Sequence, residues 1–199
     1  THFDTQAVHA GEPKHKPFGS LTMPVIQTST YTFENTAALV AHMERKIAQQ
    51  EPLRGEYGRY GNPTQEAVER KLAALDGAER ALVLSSGMAA ITCTLLTLLS
   101  AGDHLVLTED CYRKTRQFTL EYLSRLGIQC TRVPLGDMSA LETALRPSTR
   151  LILTETPTNP YLRVADLPAV VDLARSRGIL TLCDATFGTP HNIRPLDYG

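Results

Sequence analysis

Four short polar stretches follow apolar runs of the sequence, and each could take part in chemistry. A carboxylate, Asp184, closes the run "ILTLCD". A tyrosine and several cations follow "HLVLTE" in "DCYRKTR", an asparagine follows "RLILTET" in "PTNP", and a small-residue turn, "SSGMAA", follows "ALVL". Because a buried carboxylate needs a donor or a cation to offset its desolvation, we expect Asp184 to face a positively charged partner.

Each stretch also has a purely structural explanation. Asp184 could cap the next element, and Ser86 could cap an ordinary turn into a helix. Asn159 could be a turn residue between two prolines. Tyr112 could pack beneath the helix that follows it, with the cations after it on a solvated helix face. Taken singly, none of the four stretches decides between structure and function.

Together the four stretches describe a flat, phosphorylated, cationic heterocycle. The turn "SSGMAA" offers backbone N–H groups to an anion at the start of a predicted helix. Tyr112 offers a ring for stacking, and Asp184 offers a carboxylate to a pyridinium N–H. Pyridoxal phosphate has all of these features, and a ring nitrogen that stays protonated allows the ring to accept carbanion charge.

An alternation of apolar strands and amphipathic helices positions these stretches. Strands are predicted in "ALVLSS", "HLVLTE", "IQCTRVPL", "RLILTET" and "ILTLCD". Helices are predicted in "PTQEAVERKLAAL", "GMAAITCTLLTLLS", "YRKTRQFTLEYLSRLG", "DMSALETALRP" and "LPAVVDLARSRG". The order is typical of an α/β fold with a mostly parallel sheet and helices on both faces, in which ligands bind beyond the carboxyl ends of the strands.

The first part of the chain is irregular. Residues 1–63 are rich in Gly, Pro, Thr and His, with one predicted helix near residues 37–49. We expect residues 1–63 to form an N-terminal arm that lies on a partner subunit. Residues 64–199 are expected to be the first part of a cofactor-binding domain, whose remainder and a C-terminal domain would lie outside this sequence.

Composition excludes several other classes of function. The 199 residues carry a net charge of -1, and the sequence lacks the basic runs typical of nucleic-acid binding. No apolar segment is long enough to cross a membrane, and the N-terminus lacks the apolar core of a secretory signal, so a cytoplasmic location is expected. Four separated cysteines argue against a zinc site or disulfides, and no metal is expected. No G-x-G-x-x-G follows a predicted strand, which argues against a dinucleotide-binding protein.

The chain resembles the Cys/Met-metabolism enzymes of the fold-type I pyridoxal-phosphate proteins, which have an aminotransferase-like fold. The resemblance rests on "DTQAVHAGE", "PVIQTSTYTF", "EYGRYGNPT", "SSGMAA", "DCYRKTR", "ETPTNP" and "DATFGTP". It implies pyridoxal 5'-phosphate as cofactor, small amino acids as substrates, and a homodimer that shares its active sites and pairs into a tetramer. It also implies a Schiff-base lysine further along the chain than Gly199.

The resemblance implies roles for individual residues. The cofactor-binding residues that it implies are Tyr57, Arg59, Gly87, Met88, Tyr112, Asp184 and Thr186. Tyr57 and Arg59 would reach the cofactor phosphate of the neighbouring subunit, for which the fork of an arginine is well suited. Gly87 and Met88 would cradle the phosphate through their backbones. Tyr112 would stack on the ring and assist proton transfer as a catalytic residue.

Within this family, the sequence favours a γ-replacement reaction. Asn159 is expected beside the cofactor's 3-oxygen and the substrate carboxylate, and Glu155 is expected to support the site. Arg113 and Lys114 would bind an anionic leaving group or the second substrate's carboxylate. The expected reaction joins an activated homoserine ester to cysteine and gives cystathionine. γ-Elimination from cystathionine or methionine, sulfhydrylation of the homoserine ester, and a non-catalytic member of the fold remain alternatives.

Overall fold

The computed structural model describes residues 2–50 and 55–199, which divide into two compact units, residues 1–83 and 84–199. The described part of the first unit contains short 3-10 turns at Pro17–Gly19 and Gly58–Tyr60. Its α-helices are α1 (Phe3–His9), α2 (Thr36–Ile47) and α3 (Pro63–Asp76). Helix α2 confirms the one helix predicted in this region, and α1 was not predicted.

Helix α3 begins and ends at residues whose chemistry defines a helix boundary. The Asn62 side chain accepts the Thr64 N–H at 2.8 Å, and Pro63 occupies the first helical position. Gly77 ends the helix in the left-handed region at φ 68°. The helix predicted from "PTQEAVERKLAAL" is therefore confirmed at both ends.

The irregular residues of the first unit are tied to the start of α3. The Asn62 side chain donates to the Ile26 carbonyl at 2.9 Å, and the Ile26 N–H donates to the Thr64 hydroxyl at 2.8 Å. Gly11 has φ +76°, and a Cβ there would lie 2.5 Å from the Lys71 backbone nitrogen, so this position requires glycine. The arm thus has fixed contacts within its own unit, and its predicted reach to a partner subunit remains a prediction.

The second unit contains the sheet and the helices that cover it. Its strands are β1 (His104–Thr108), β2 (Gln129–Val133), β3 (Thr149–Glu155) and β4 (Leu180–Asp184). Its helices are α4 (Gly87–Leu98), α5 (Arg113–Gln117), α6 (Met138–Ala144), α7 (Leu167–Ser176) and α8 (Thr189–Asn192). Helix α5 continues through a π-helical turn, Phe118–Tyr122, into a last helical turn, Leu123–Arg125. A 3-10 turn at Pro195–Asp197 follows α8. Neither α8 nor this turn was predicted.

The four strands form a parallel sheet in the order β2-β1-β3-β4. This order confirms the predicted α/β class. Because all strands run the same way, their carboxyl ends share one edge, and Glu155 of β3 lies in register with Asp184 of β4. The two acidic strand ends are therefore neighbours.

Helices cover both faces of the sheet, as predicted. Successive strand residues point to opposite faces, so Leu105 and Leu107 belong to one core cluster while Val106 belongs to another. The first cluster packs against Ile91 and Leu95 of α4 and Leu123 of the last turn after α5. The second packs against Leu141 of α6 and against Val170 and Ala174 of α7.

The strand predicted for "ALVLSS" does not form. The Val83 N–H donates to the Glu69 side chain at 3.0 Å, and the Val83 carbonyl accepts from the Gln65 side chain at 3.4 Å. Leu82 is 82% exposed. Side chains of α3 thus occupy the backbone groups that a neighbouring strand would need, and α4 follows an extended segment instead of a strand.

Candidate active site

A cavity of about 470 Å³ lies at the carboxyl edge of the sheet, within the second unit. Residues following three different strands meet there with the start of α4. The cavity is lined by Ser86, Gly87, Met88, Ile91, Tyr112, Thr115, Glu155, Asn159, Asp184, Thr186 and Phe187. The structure therefore brings together seven predicted site residues: Gly87, Met88, Tyr112, Glu155, Asn159, Asp184 and Thr186.

Asp184 ends β4 as a half-buried carboxylate whose position is fixed. Its Oδ1 accepts from both the N–H and the hydroxyl of Thr186, the former at 3.1 Å, in a tight local turn. Its carbonyl accepts the Thr156 N–H at 3.0 Å, which continues the pairing with β3. Since both Thr186 bonds go to Oδ1, the other oxygen, Oδ2, is the one suited to a donor on a ligand.

The start of α4 is arranged to bind an anion. The Ser86 hydroxyl accepts the Ala89 N–H at 3.0 Å, and the Ser86 carbonyl accepts the Ala90 N–H at 3.0 Å. The N–H groups of Gly87 and Met88 are the remaining ones of this first turn, and a helix offers them no internal acceptor. They line the cavity at the positive end of a twelve-residue helix.

Gly87 is a glycine that the chain's own packing does not require. A Cβ built there would meet no atom within 4 Å, and the residue is not among the glycines with positive φ. The space over its backbone lies at the cavity. A phosphate that approaches the backbone closely would explain why a side chain is absent at this position.

Tyr112 occupies the N-cap position of α5 and is 42% exposed at the cavity. Its N–H donates to Glu155 Oε2 at 2.7 Å. The ring is therefore a half-exposed apolar surface on a backbone that is fixed from the neighbouring strand. This arrangement suits stacking on a flat ligand.

Glu155 is a second carboxylate at this edge, and it is 4% exposed. Burial raises the pKa of Glu155, and the hydrogen bond from the Tyr112 N–H opposes this effect. The neighbouring charge of Asp184 raises the pKa further, while a hydrogen bond from the Asn159 N–H lowers it. Glu155 thus faces main-chain donors on two different loops.

The loop that carries Asn159 is held by polar contacts. The Thr158 N–H donates to the Arg163 carbonyl at 2.9 Å, and the Arg163 N–H donates to the Thr158 hydroxyl at 3.0 Å. The Arg163 guanidinium lies 3.1 Å from the Asp110 carboxylate, just before Tyr112 in the chain. The Asn159 loop and the Tyr112 segment are therefore joined by an ion pair.

Two thiols next to site residues are kept unreactive. Burial is the main cause that raises the pKa of Cys111 to about 12, and the same holds for Cys183. At neutral pH both side chains remain thiols, which are poor nucleophiles. They are structural neighbours of Tyr112 and Asp184, with no thiolate available for chemistry.

Four predicted site residues are not among those that line this cavity. Arg113 and Lys114 are exposed on the first turn of α5, and the Lys114 ammonium donates to the Gln117 side chain at 3.0 Å. Tyr57 and Arg59 belong to the first unit, where the Arg59 guanidinium lies 5.3 Å from the centre of the Tyr57 ring. Their proposed roles towards substrate and partner subunit remain predictions.

Three lining residues were missed by the sequence analysis: Ile91, Thr115 and Phe187. The Thr115 hydroxyl lies 3.7 Å from the Met88 sulfur and links α5 to the start of α4. Helical spacing could have indicated Ile91, four residues after Gly87, and Thr115, three after Tyr112. Phe187 has no comparable signal because it follows an irregular turn.

The donors and acceptors of the cavity fit pyridoxal phosphate. Main-chain N–H groups of α4 suit its phosphate, the Tyr112 ring suits its flat face, and Asp184 suits a protonated ring nitrogen. Residues 4–199 match the family described as Cys/Met metabolism PLP-dependent enzymes. The chain belongs to this family. Its cofactor is therefore pyridoxal phosphate, as the sequence predicted.

Relatives from the family differ in the reactions for which they are named. The chain is 44% identical over 196 residues to cystathionine gamma-synthase 1, chloroplastic, from Nicotiana tabacum, covering 97% of this chain and 35% of the relative. It is 39% identical over 199 residues to cystathionine beta-lyase MetC from Bacillus subtilis, covering 98% of this chain and 47% of the relative. The chain thus spans less than half the length of either relative.

A solved structure from Campylobacter jejuni has the same fold with a TM-score of 0.90 at 28% identity. The match covers 100% of this chain and 48% of the Campylobacter jejuni chain. The Campylobacter jejuni structure contains N'-pyridoxyl-lysine-5'-monophosphate. In residues 2–50 and 55–199, no helix of the present chain is long and apolar enough to span a membrane. The predicted cytoplasmic location remains a prediction.

Proposed function

We propose that the protein containing this chain catalyses a pyridoxal-phosphate-dependent γ-replacement on an activated homoserine ester. The ester's acyloxy group leaves Cγ as a carboxylate, and the cysteine thiol takes its place there to give cystathionine. The observation that carries the proposal is the cavity at the sheet edge, where phosphate-binding N–H groups, a stacking ring and a strand-end carboxylate meet. Pyridoxal phosphate, when bound, supplies an electron sink for charge that develops on the substrate carbons.

Each residue of the cavity has a definite task in this proposal. The N–H groups of Gly87 and Met88 bind the phosphate and fix the cofactor's position. Asp184 accepts the hydrogen bond of the ring N–H and keeps that proton on the nitrogen. Tyr112 covers the ring, excludes water from one face and assists proton transfer. Thr186 holds the Asp184 carboxylate in place through its two hydrogen bonds.

Asn159 and the cations after Tyr112 are proposed to bind the substrates. The Asn159 amide, at the cavity, suits a substrate carboxylate as well as a cofactor oxygen. Arg113 and Lys114 lie in the turn after Tyr112 and are exposed, so they are accessible to an anionic leaving group or to the carboxylate of cysteine. The tobacco relative, whose name denotes cystathionine synthesis, supports replacement as the reaction.

The proposal extends to a homodimer with shared active sites, two of which pair into a tetramer. Tyr57 and Arg59 lie on an exposed 3-10 turn, and an arginine beside an aromatic ring suits phosphate binding. We expect this turn to reach the partner subunit's cofactor phosphate.

The test begins with a visible absorption spectrum of the full-length protein with added pyridoxal phosphate, before and after borohydride. A yellow band that borohydride removes is expected, followed by cystathionine formation from homoserine esters and cysteine. The test variant is Asp184→Asn, which keeps the shape of the side chain and removes its charge. Its turnover should fall about 10- to 100-fold, the usual effect of losing a charged hydrogen bond.

Each outcome has a distinct meaning. Cystathionine formation with little product in the absence of cysteine supports replacement. Release of an oxo acid and ammonia without cysteine supports γ-elimination, and transfer of sulfide in place of cysteine supports sulfhydrylation. No absorption band at all would contradict the enzyme proposal and favour a non-catalytic member of the fold.

A further inference from the structure

Glu155 is a buried acid whose place in the fold differs from that of an ordinary strand residue. It is the last residue of β3 and is 4% exposed, and its register partner is Asp184. A carboxylate in such a position loses most of its hydration and requires donors in exchange. Those donors show what the residue does.

The donor at close hydrogen-bonding distance is the main-chain N–H of Tyr112, and the Asn159 N–H is a weaker second one. The Tyr112 N–H lies 2.7 Å from Oε2, from a segment 43 residues earlier in the chain. The Asn159 N–H belongs to the loop that follows β3. One carboxylate therefore fixes the backbones of the two loops that carry the ring-stacking tyrosine and the substrate-side asparagine.

We propose that Glu155 is a positioning residue that holds Tyr112 and Asn159 in a common arrangement by accepting both of their N–H groups. The proposal rests on the function proposed above for these two side chains. Glu155 acts through the two loops, with no direct role in proton transfer. It sets the distance between the tyrosine that covers the ring and the amide that binds the substrate.

The chemistry of the two N–H groups requires a carboxylate. A carboxylate presents two acceptor oxygens, whereas the amide of glutamine presents one oxygen and one NH₂ donor. Glu155→Gln would therefore keep one acceptor oxygen and lose the negative charge, so its hold on the two loops should weaken. Glu155→Asp keeps the charge but withdraws it by one methylene group, so it should restore the arrangement only in part.

Thr154→Val provides a matched control on the same strand. Thr154 precedes Glu155, is 1% exposed, and accepts a hydrogen bond from the buried Thr108 hydroxyl at 3.2 Å. Its substitution removes a buried polar contact of β3 and retains the side-chain shape. The hydrogen bond that it removes goes to Thr108, outside the Tyr112 segment and the Asn159 loop, so it reports general loss of stability.

The first measurement is amide hydrogen exchange in the full-length protein without added cofactor, resolved at single residues. Exchange of the Tyr112 and Asn159 amides should accelerate about 10-fold or more in Glu155→Gln, and less in Glu155→Asp. In Thr154→Val these two amides should change only as much as the core amide of Val106. The wild-type amides must themselves be protected, and fast exchange there overturns the proposal even if a variant fails to fold.

The second measurement uses pyridoxal phosphate as the probe. The visible circular dichroism of the bound cofactor reports its orientation, and we expect Glu155→Gln to change it while Thr154→Val does not. With homoserine ester and cysteine, Glu155→Gln should raise KM as well as lower kcat, because Asn159 and Tyr112 are both displaced. Equal behaviour of Glu155→Gln and Thr154→Val in these measurements overturns the proposal.

The two proposals fail in different ways. A wild-type protein that binds no pyridoxal phosphate contradicts the proposed function, and with it the role of Glu155 in catalysis. A wild-type protein that binds the cofactor and forms product, with Tyr112 and Asn159 amides insensitive to Glu155→Gln, contradicts only the positioning role.

Discussion

At the level of single residues, the cavity has opposite electrostatic character on its two sides. Asp184 and Glu155 bring carboxyl groups to the ends of neighbouring strands, while α4 presents N–H groups at Gly87 and Met88. A ligand with a cationic ring and an anionic phosphate is complementary to both sides. This pairing explains why two carboxyl groups can lie side by side at a partly buried edge.

His104 provides a residue-scale prediction at the opposite edge of the sheet. It is fully buried, and its ring nitrogens lie 2.8 Å from the hydroxyls of Thr149 and Thr131. Burial lowers the pKa of His104 below 6.5, and the nearby Arg146 charge lowers it further. Below pH 6.5 the His104 imidazole therefore binds a proton in the unfolded chain before it does so in the folded chain.

The free energy of unfolding should consequently fall as the pH decreases from 6.5 through the lowered pKa of His104. The contribution of one proton is at most about 1.4 kcal/mol for each pH unit. Urea unfolding followed by circular dichroism should show a weaker loss on acidification in His104→Gln than in the wild type.

At the level of elements, the start of α4 combines a helix cap with a proposed phosphate-binding site. Two substitutions of Ser86 distinguish the effect of the cap on stability from the effect of the site on cofactor binding. Ser86→Ala removes the acceptor of the Ala89 N–H and should reduce stability by about 1 kcal/mol. Ser86→Asp retains a good cap but places a negative charge where the phosphate is proposed to bind. It should keep the wild-type stability and weaken pyridoxal-phosphate binding about 10- to 100-fold.

Thermal unfolding and spectroscopic titration with pyridoxal phosphate measure the two effects. If Ser86→Asp bound the cofactor as tightly as the wild type, the phosphate site at α4 would be wrong. If Ser86→Ala lost no stability, the cap would contribute less than its geometry indicates.

Much of the second unit could be predicted from sequence because its two central strands, β1 and β3, are buried along almost their whole length. The runs ending at Thr108, Glu155 and Asp184 are mostly apolar, and parallel pairing brings their polar ends to one edge. The segment at Val83 looked similar, but its backbone groups bond to side chains of α3. Apolar character alone does not determine which partner a backbone finds.

Much of the candidate site could also be predicted from the sequence. Asp184, Tyr112 and Asn159 follow strands and therefore meet at one edge, as the alternation of elements required. Glu155 was expected at the site only because the resemblance implied it, and the sequence did not show which N–H groups it binds. Those bonds depend on loop conformations that no periodicity encodes.

At the level of the whole molecule, the proposed sharing of active sites between subunits can be tested by mixing two impaired variants. Arg59→Ala should weaken phosphate binding across the interface, and Asp184→Asn should reduce turnover at the site of its own subunit about 10- to 100-fold. If each site takes Arg59 from one subunit and Asp184 from the other, refolded mixtures contain heterodimers with one intact site. Random mixing should then restore about a quarter of the wild-type activity.

Turnover of homoserine ester by the refolded mixture, compared with each variant refolded alone, is the measurement. A double variant refolded with the wild type controls for the efficiency of refolding. Absence of any recovery in the mixture would place both residues in the same subunit's site and contradict the proposed exchange.

The parallel sheet also bears on how such a family diverges. Its carboxyl edge carries the site groups at strand ends and on connecting segments, whereas the central strands β1 and β3 are buried among Leu, Ile and Val side chains. Selection can therefore alter the segments after β1 and β3 while the framework beneath them stays intact. Because the site segments and the framework can change separately, relatives named for different reactions are expected. The synthase from tobacco and the lyase from Bacillus subtilis, each near two-fifths identity to this chain, agree with this expectation. New reactions thus arise from changes in the connecting segments at the carboxyl edge of the sheet.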